Sequence, residues 1–336
     1  MPMLLVPGRA RAFALLVAIV AVPAAVAIAQ QGPVGAMFES DKARHASREP
    51  SFQLVDLPAT KADQSPLRVY LSAGDLERAF DRPEFRPAAA IVPTNTDLSI
   101  TAPQPATQRV LVSRVQKQPE VMRDLEDQIA ARQKQPAANA AGEPGVLRIG
   151  VDTFVAQLPR SAMTPANANF PKAACLIATE FAQGGAVDRR ELYAQDRVRR
   201  GVAACLTALD AAGAQSIVLP QMGAASSETQ THDAMYEGQR TLMECRLINS
   251  TAGIALGIHD FAASRRNLRE IGVVQWEREL DLMFKVPPDS RAAGSAQAAY
   301  RAYAEQVREA FRRGLAGEKT TVGHVKGSCT AILDVQ

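Results

Sequence analysis

Apolar residues follow three rhythms along this chain, and each predicts a different kind of segment. The first is an uncharged run from Ala12 to Ala29, holding Leu15, Leu16, Val17, Ile19, Val20 and Val22 behind Arg9 and Arg11. It closes on Ala27-Ile28-Ala29, just before Gln30. A positive start, an apolar middle and a small-residue A-x-A end make the order of a secretory signal peptide. The strongly apolar part is shorter than the ~20 residues of a bilayer span, and Pro23 interrupts it, so cleavage is expected rather than retention as an anchor. No later stretch is long and apolar enough to span a membrane.

The second rhythm is a series of short apolar blocks, each of strand length. Leu67 to Leu71, Ala88 to Val92, Ala173 to Thr179, Ser216 to Leu219 and Ile271 to Trp276 read as strands, with Val146 to Val151 and Thr153 to Val155 as further candidates. The third is helical spacing. Arg189 to Ala212 carries Leu192, Val198, Val202, Leu206 and Leu209 close to one face, and Gly213 stops it. Thr231 to Asn249 predicts a second helix, Asp260 to Leu268 a shorter third, and Tyr300 to Arg313 a terminal amphipathic one.

Alternation of strands and helices predicts an α/β fold, a three-layer α/β/α sandwich with a mixed, mostly buried sheet. Residues 30–65, rich in Gln, Gly, Pro, Ser and charge, read as a disordered tether. Residues 66–286 are the domain. Within it, 101–145 is uneven, with prolines, a possible strand at Val110-Leu111-Val112 and a solvated helix from Glu120 to Lys134. That stretch is expected to be a partly mobile surface insertion. Residues 287–336 add the last helix and an extension.

Composition changes this picture little. A net charge of +3 includes the arginines of the leader, so no basic face points to a nucleic-acid partner. Four cysteines, Cys175, Cys205, Cys245 and Cys329, are too few and too scattered for a disulfide framework. Cys205 and Cys245 could bridge, but the sequence favours cysteines acting as small buried hydrophobes. No two cysteines or histidines have metal-ligand spacing, and no metal or cofactor is expected.

Catalytic signatures are scarce. There is no G-x-S-x-G elbow and no H-E-x-x-H, and Gly317-Glu318-Lys319-Thr320-Thr321 lacks the glycine of a phosphate loop before its lysine. His232-Asp233 and His259-Asp260 are sequence neighbours, whose side chains seldom point at one atom. One loop stands out: Leu219-Pro220-Gln221-Met222-Gly223-Ala224-Ala225-Ser226-Ser227, between a buried strand and a helix. Small residues there let backbone N–H groups approach a phosphate, and two serine hydroxyls can add hydrogen bonds.

That loop has company. Gly74-Asp75-Leu76 follows the first strand, and Ala90-Ile91-Val92-Pro93-Thr94-Asn95-Thr96-Asp97-Leu98 is a strand running into an asparagine-bearing turn. Ala203 to Met222 is a helix followed by G-A-Q-S-I-V-L-P-Q-M, and Ile271 to Phe284 a closing strand and helix. In this order the pieces, over roughly residues 66–286, resemble a macro domain, the ADP-ribose-binding module. The resemblance implies that Asp75, matching the aspartate of G-D-I, contacts an adenine amino group, a donor that a carboxylate suits. It implies that Asn95 approaches the distal ribose, and that Gly223, Ala224, Ala225, Ser226 and Ser227 wrap the diphosphate. On the residues alone, Asp75 also suits a helix cap, Asn95 a turn and Gly223 a hinge.

The chain departs from the family pattern at Ser99-Ile100-Thr101-Ala102-Pro103-Gln104-Pro105, where the glycine-rich first loop belongs, and at Ala225, where the second loop has another glycine. Without those glycines the backbone cannot make the same close approach, and hydrolysis loses its water-positioning region. The expectation is therefore an exported protein, periplasmic or secreted, that binds ADP-ribose, a related nucleotide or another small anion, with no catalytic residue assigned. Two alternatives stay open. One is an interaction protein of the cell envelope that keeps only the fold, with a protein partner there. The other is an ADP-ribosyl or phosphoester hydrolase, for which Asp75, Asp97 and His232 are the available candidates.

Overall fold

The computed structural model describes residues 34, 53–59, 65–74, 86–98, 119–135, 146–148, 150–158, 171–180, 195–222, 237–276, 293–325 and 328–332. Five apolar blocks form the parallel body of one sheet: β2 (Leu67–Gly74), β3 (Ala89–Asn95), β5 (Ala173–Glu180), β6 (Ser216–Pro220) and β7 (Glu270–Trp276). Two antiparallel strands close its edges, β1 (Gln53–Leu57) on β2 and β4 (Thr153–Gln157) on β5. The order is β1-β2-β7-β6-β3-β5-β4.

Strands buried on both faces need apolar residues at consecutive positions, not alternate ones. Ile217, Val218 and Leu219 are all fully buried for that reason. Side chains two apart share a face, so the sheet sorts its residues between two cores. Val69, Ile91, Ile217 and Val273 join one core, while Tyr70, Val92, Val218 and Val274 join the other.

Helix α1 (Pro119–Gln133) covers part of the second face through Val121, Leu125 and Ile129, at the i, i+4, i+8 spacing of one helical stripe. Within the stretch read as a surface insertion, the helix expected to be solvated therefore covers the sheet, while residues 101–118 and 136–145 lie outside the described residues. A solvated outer face hid an apolar stripe that the sheet requires. The first face carries α2 (Gln195–Ala211), which ends as the sequence suggests: Gly213 takes a φ of 84°, and the N–H groups of Gly213 and Ala214 donate to Asp210 and Leu209 carbonyls.

Beside α2 lies α3 (Glu237–Ala262), one helix where the sequence suggested two. Residues 250–259 continue it, because neighbours bury it on more than one side. A Cβ on Gly253 or Gly257 would sit 2.6 Å from a backbone oxygen of α2, and one on Gly314 would sit 2.6 Å from Ala255. Gly314 belongs to α4 (Ala293–Leu315), which packs on α3 through Tyr303, Val307 and Phe311. The chain then makes a hairpin, β8 (Thr321–Val325) and β9 (Ser328–Ile332), against α3.

The fold class is thus as expected, a mixed sheet between two helical layers. Other expectations are corrected. Residues 53–57, inside the stretch read as a tether, form β1, and Val34 is fully buried with its N–H donating to Glu270 Oε2 at 3.2 Å. Residues 146–148 and 150–151 are not strand; they form turns around buried Leu147. All four cysteines are bridged, Cys175 to Cys205 and Cys245 to Cys329, rather than Cys205 to Cys245. The expected strand at Val110-Leu111-Val112 lies outside the described residues.

Candidate functional site

Because β2, β7, β6, β3 and β5 are parallel, their carboxyl ends lie along one edge of the sheet. The chain therefore leaves Gly74, Asn95, Glu180, Pro220 and Trp276 on the same side of the molecule. Two of these exits diverge. β3 and β6 are adjacent, with Ala89 opposite Ile217 and Ala90 opposite Val218. After β3 the chain runs to α1 on one face; after β6 it runs to α3 on the other. Neighbouring strands whose connections part in this way open a crevice beyond their carboxyl ends.

The expected contact residues follow these strand ends. Asn95 is the last residue of β3, aligned with Glu180 of β5 beyond a register shift at Thr94/Asn95. Its side chain lies outside what is described. Asp75 comes directly after the last residue of β2, and Gly223, Ala224, Ala225, Ser226 and Ser227 come three to seven residues after β6; all lie outside the described residues. So does His232.

The approaches to the crevice are held firmly. Gln221 donates its N–H to the Val274 carbonyl at 2.8 Å, and its Nε2 to Thr251 Oγ1 at 2.7 Å and the Leu247 carbonyl at 3.1 Å. Ser250 Oγ donates to the Met222 carbonyl. The start of the small-residue loop is thereby fastened to α3. On the other side of the crevice, the Thr96 carbonyl accepts from Val146 and Leu147, and Gln133 Nε2 donates to the Asp97 carbonyl at 2.7 Å. Leu98, fully buried in the α1-side core, takes a φ of 58°. That left-handed conformation is unfavourable for a branched side chain, and such strain is found where a backbone is held for a purpose.

Sequence reasoning located the loop after β6 but missed Gln221, Ser250 and Thr251 as its fasteners. The partners are 26 to 30 residues apart, and nothing in local pattern links them. Gln275, at the end of β7 and 1% exposed, was hidden within an apolar strand.

The groups with displaced pKa values lie elsewhere. Tyr70 is pushed up to about 12, chiefly by burial and then by Glu270. Asp152 is lowered first by the hydrogen bonds from Arg148, and Arg265 is lowered by burial. His259 Nδ1 lies 3.0 Å from the Leu315 carbonyl while Asp260 pairs with Arg199, so that adjacent pair serves two structural contacts. Among the described residues no group of three or more His, Cys, Asp or Glu could hold a metal, and no helix is long and apolar enough to cross a membrane.

No family model and no curated protein matches the chain. Among solved structures, an Oceanobacillus iheyensis macrodomain with ADP is similar over 75% of this chain and 96% of its own, at 10% identity and a TM-score of 0.35. The same organism's macrodomain with MES bound is similar over 75% and 97%, at 10% identity and 0.35. Thermosipho africanus DarTG in complex with ADP-ribose is similar over 73% of this chain and 48% of its own, at 12% identity and 0.37.

Proposed function

We propose that this chain is an exported, macrodomain-like module that binds ADP-ribose or a related nucleoside diphosphate in the crevice at the carboxyl edge of its sheet, without catalysing its breakdown. The observation that supports the reading is the divergence of β3 and β6, at the same sheet edge on which β2, the strand before Asp75, also ends. Segments beginning at Asp75, Asn95 and Gln221 leave the same edge in the spatial order β2, β7, β6, β3. Adjacent strands lie about 4.8 Å apart, so β2 and β3 are about 14 Å apart. That is a span a nucleoside diphosphate can cross, with its base toward Asp75 and its phosphates over the loop Gly223 to Ser227.

Binding rather than hydrolysis follows from the residues available. Ser99 to Pro105 offers no glycine-rich backbone to position a water. Export is supported by the leader and by two bridges that suit an oxidising compartment.

Titration calorimetry of the full chain with ADP-ribose tests the proposal. Saturable binding that weakens at least tenfold in Asn95→Ala is the expected result. A folded sample giving no heat at millimolar ligand would exclude the nucleotide reading. Release of free ADP-ribose from a modified protein would exclude the non-catalytic part.

A further inference from the structure

The main sheet ends in two edge strands, β1 and β4. An edge offers main-chain N–H and C=O groups to a further strand, and proteins blunt it with charge, with proline or with a cover. β1 carries two of these devices in its own sequence: Asp56 is exposed within the strand, and Pro58 directly follows it. β4 carries neither. It reads Thr153-Phe154-Val155-Ala156-Gln157, without charge or proline.

Main-chain direction alternates along an antiparallel strand. Leu158, directly after β4, donates its N–H to the Lys172 carbonyl at 2.7 Å, so Ala156 and Phe154 also bond toward β5. Thr153, Val155 and Gln157 therefore aim their N–H and C=O groups away from the sheet. At Gln157 that outward pair is taken. Its N–H donates to Oε1 of Gln128 on α1 at 2.9 Å, and Gln128 Nε2 donates back to the Gln157 carbonyl at 2.8 Å. Two bonds exchanged with one residue are what the hydrogen-bonded pair of an antiparallel ladder makes. A side-chain carboxamide here stands in for one residue of a further strand. Its Nε2 also donates to Asp124 Oδ2 at 2.8 Å, one turn earlier on α1, which fixes the end of the amide that faces the Gln157 carbonyl. Leu125 and Ile129 seat the same turn of α1 in the core. Gln128 is half-buried and Gln157 exposed, so this edge is within reach of solvent.

We infer that Gln128 is an edge-closing residue, and that the surface it closes is a pairing site for β4 of a second copy of this chain. An antiparallel, two-fold pairing centred on Val155 sets Gln157 opposite Thr153 of the second copy and Val155 opposite its equivalent. Every outward N–H then meets a C=O, and no charge on either strand opposes the contact. Gln128 holds one end of that ladder and keeps the copies apart. This role is independent of the nucleotide reading.

The test is sedimentation velocity over a concentration series on three full-length proteins: wild type, Gln128→Ala, and Gln128→Ala combined with Val155→Pro. Alanine keeps the helix propensity of α1. Proline at Val155 removes the central outward N–H without taking a bond from β5. Gln128→Ala is expected to associate about tenfold more tightly than wild type, and the proline variant to return to wild-type behaviour. Hydrogen exchange on the wild type gives a reading that needs no variant: the Gln157 amide should exchange about tenfold or more slowly than that of Val155. Gln128→Ala that associates no more than wild type, association that survives the proline, or equal exchange at Gln157 and Val155 would each overturn the inference.

Discussion

Asp210, in the last turn of α2, is 4% exposed, and its carboxylate accepts from three consecutive amides, those of Arg266, Asn267 and Leu268, at 2.9, 2.8 and 2.7 Å. Asn267 Nδ2 returns a bond to the Asp210 carbonyl at 2.8 Å. This one side chain aligns the turn that leads from α3 into β7. Removing it leaves buried N–H groups without acceptors, so Asp210→Ala is expected to cost about 3–5 kcal/mol in urea unfolding. Asp210→Asn, which keeps one acceptor oxygen, should cost roughly half as much. Asp152 provides a test in pH. Arg148 binds it through Nε and Nη2, each at 3.0 Å, and through its backbone N–H at 2.9 Å, holding the carboxyl below its ordinary range. A carboxyl lowered in the folded chain stabilises it above the unfolded value of about 4, and that share fades as pH falls toward the folded value. Asp152→Asn should therefore melt below wild type at pH 7, with the gap closing below about pH 4.

Close contact between whole elements makes different demands, seen best where α3 meets α2 and α4. Alanine is worth about 1 kcal/mol more than glycine inside a helix, so Gly253→Ala and Gly257→Ala would stabilise an isolated α3. In the folded chain each new Cβ meets a carbonyl of α2 at 2.6 Å, that of Gln195 or that of Arg199. Backbone cannot yield as a flexible side chain does, and both substitutions should destabilise by roughly 1–3 kcal/mol, measured by thermal unfolding. The same packing explains what was legible in the sequence. The stripe of α2 and the apolar blocks of β2, β3, β5, β6 and β7 could be read, because burial on one face or on both leaves a period. α3 was divided in two because a helix enclosed on several sides has no polar face to mark its phase. α1 was seen as a helix but not as a cover, since Val121, Leu125 and Ile129 are spaced among charges. For the candidate site, local motif located the loops after β2, β3 and β6. Which strands are neighbours, and hence that β7 with Gln275 lies between β2 and β6, depends on a strand order that local sequence does not contain.

At the scale of the whole chain, the bridges divide the molecule into parts of unequal accessibility. Cys175 and Cys205 join β5 to α2 within the main core, both fully buried. Cys245 and Cys329 join α3 to the C-terminal hairpin across a sequence separation of 84, and Cys329 is only partly buried. The hairpin is also held by Asn249, which exchanges two hydrogen bonds with the Val322 backbone at 2.8 Å, and by Gln195, which donates to the Thr320 carbonyl. Thiol exchange requires access to a sulfur, so a mild reductant should reach the hairpin bridge first. Alkylation after gentle reduction of the native protein should label Cys245 and Cys329 alone, and labelling of all four should require denaturant. Replacing the hairpin bridge by Cys245→Ser with Cys329→Ser should cost about 2–4 kcal/mol, because a long loop in the unfolded chain is no longer closed. The remaining hydrogen bonds keep the hairpin near α3, so limited proteolysis should cut beyond Leu315 faster in this variant while the sheet survives. Early labelling of Cys175 and Cys205 would mean that the main core opens as readily as the hairpin. The strand edge carrying Asn95 and Gln275 would then lack the rigid support that a preorganised crevice needs.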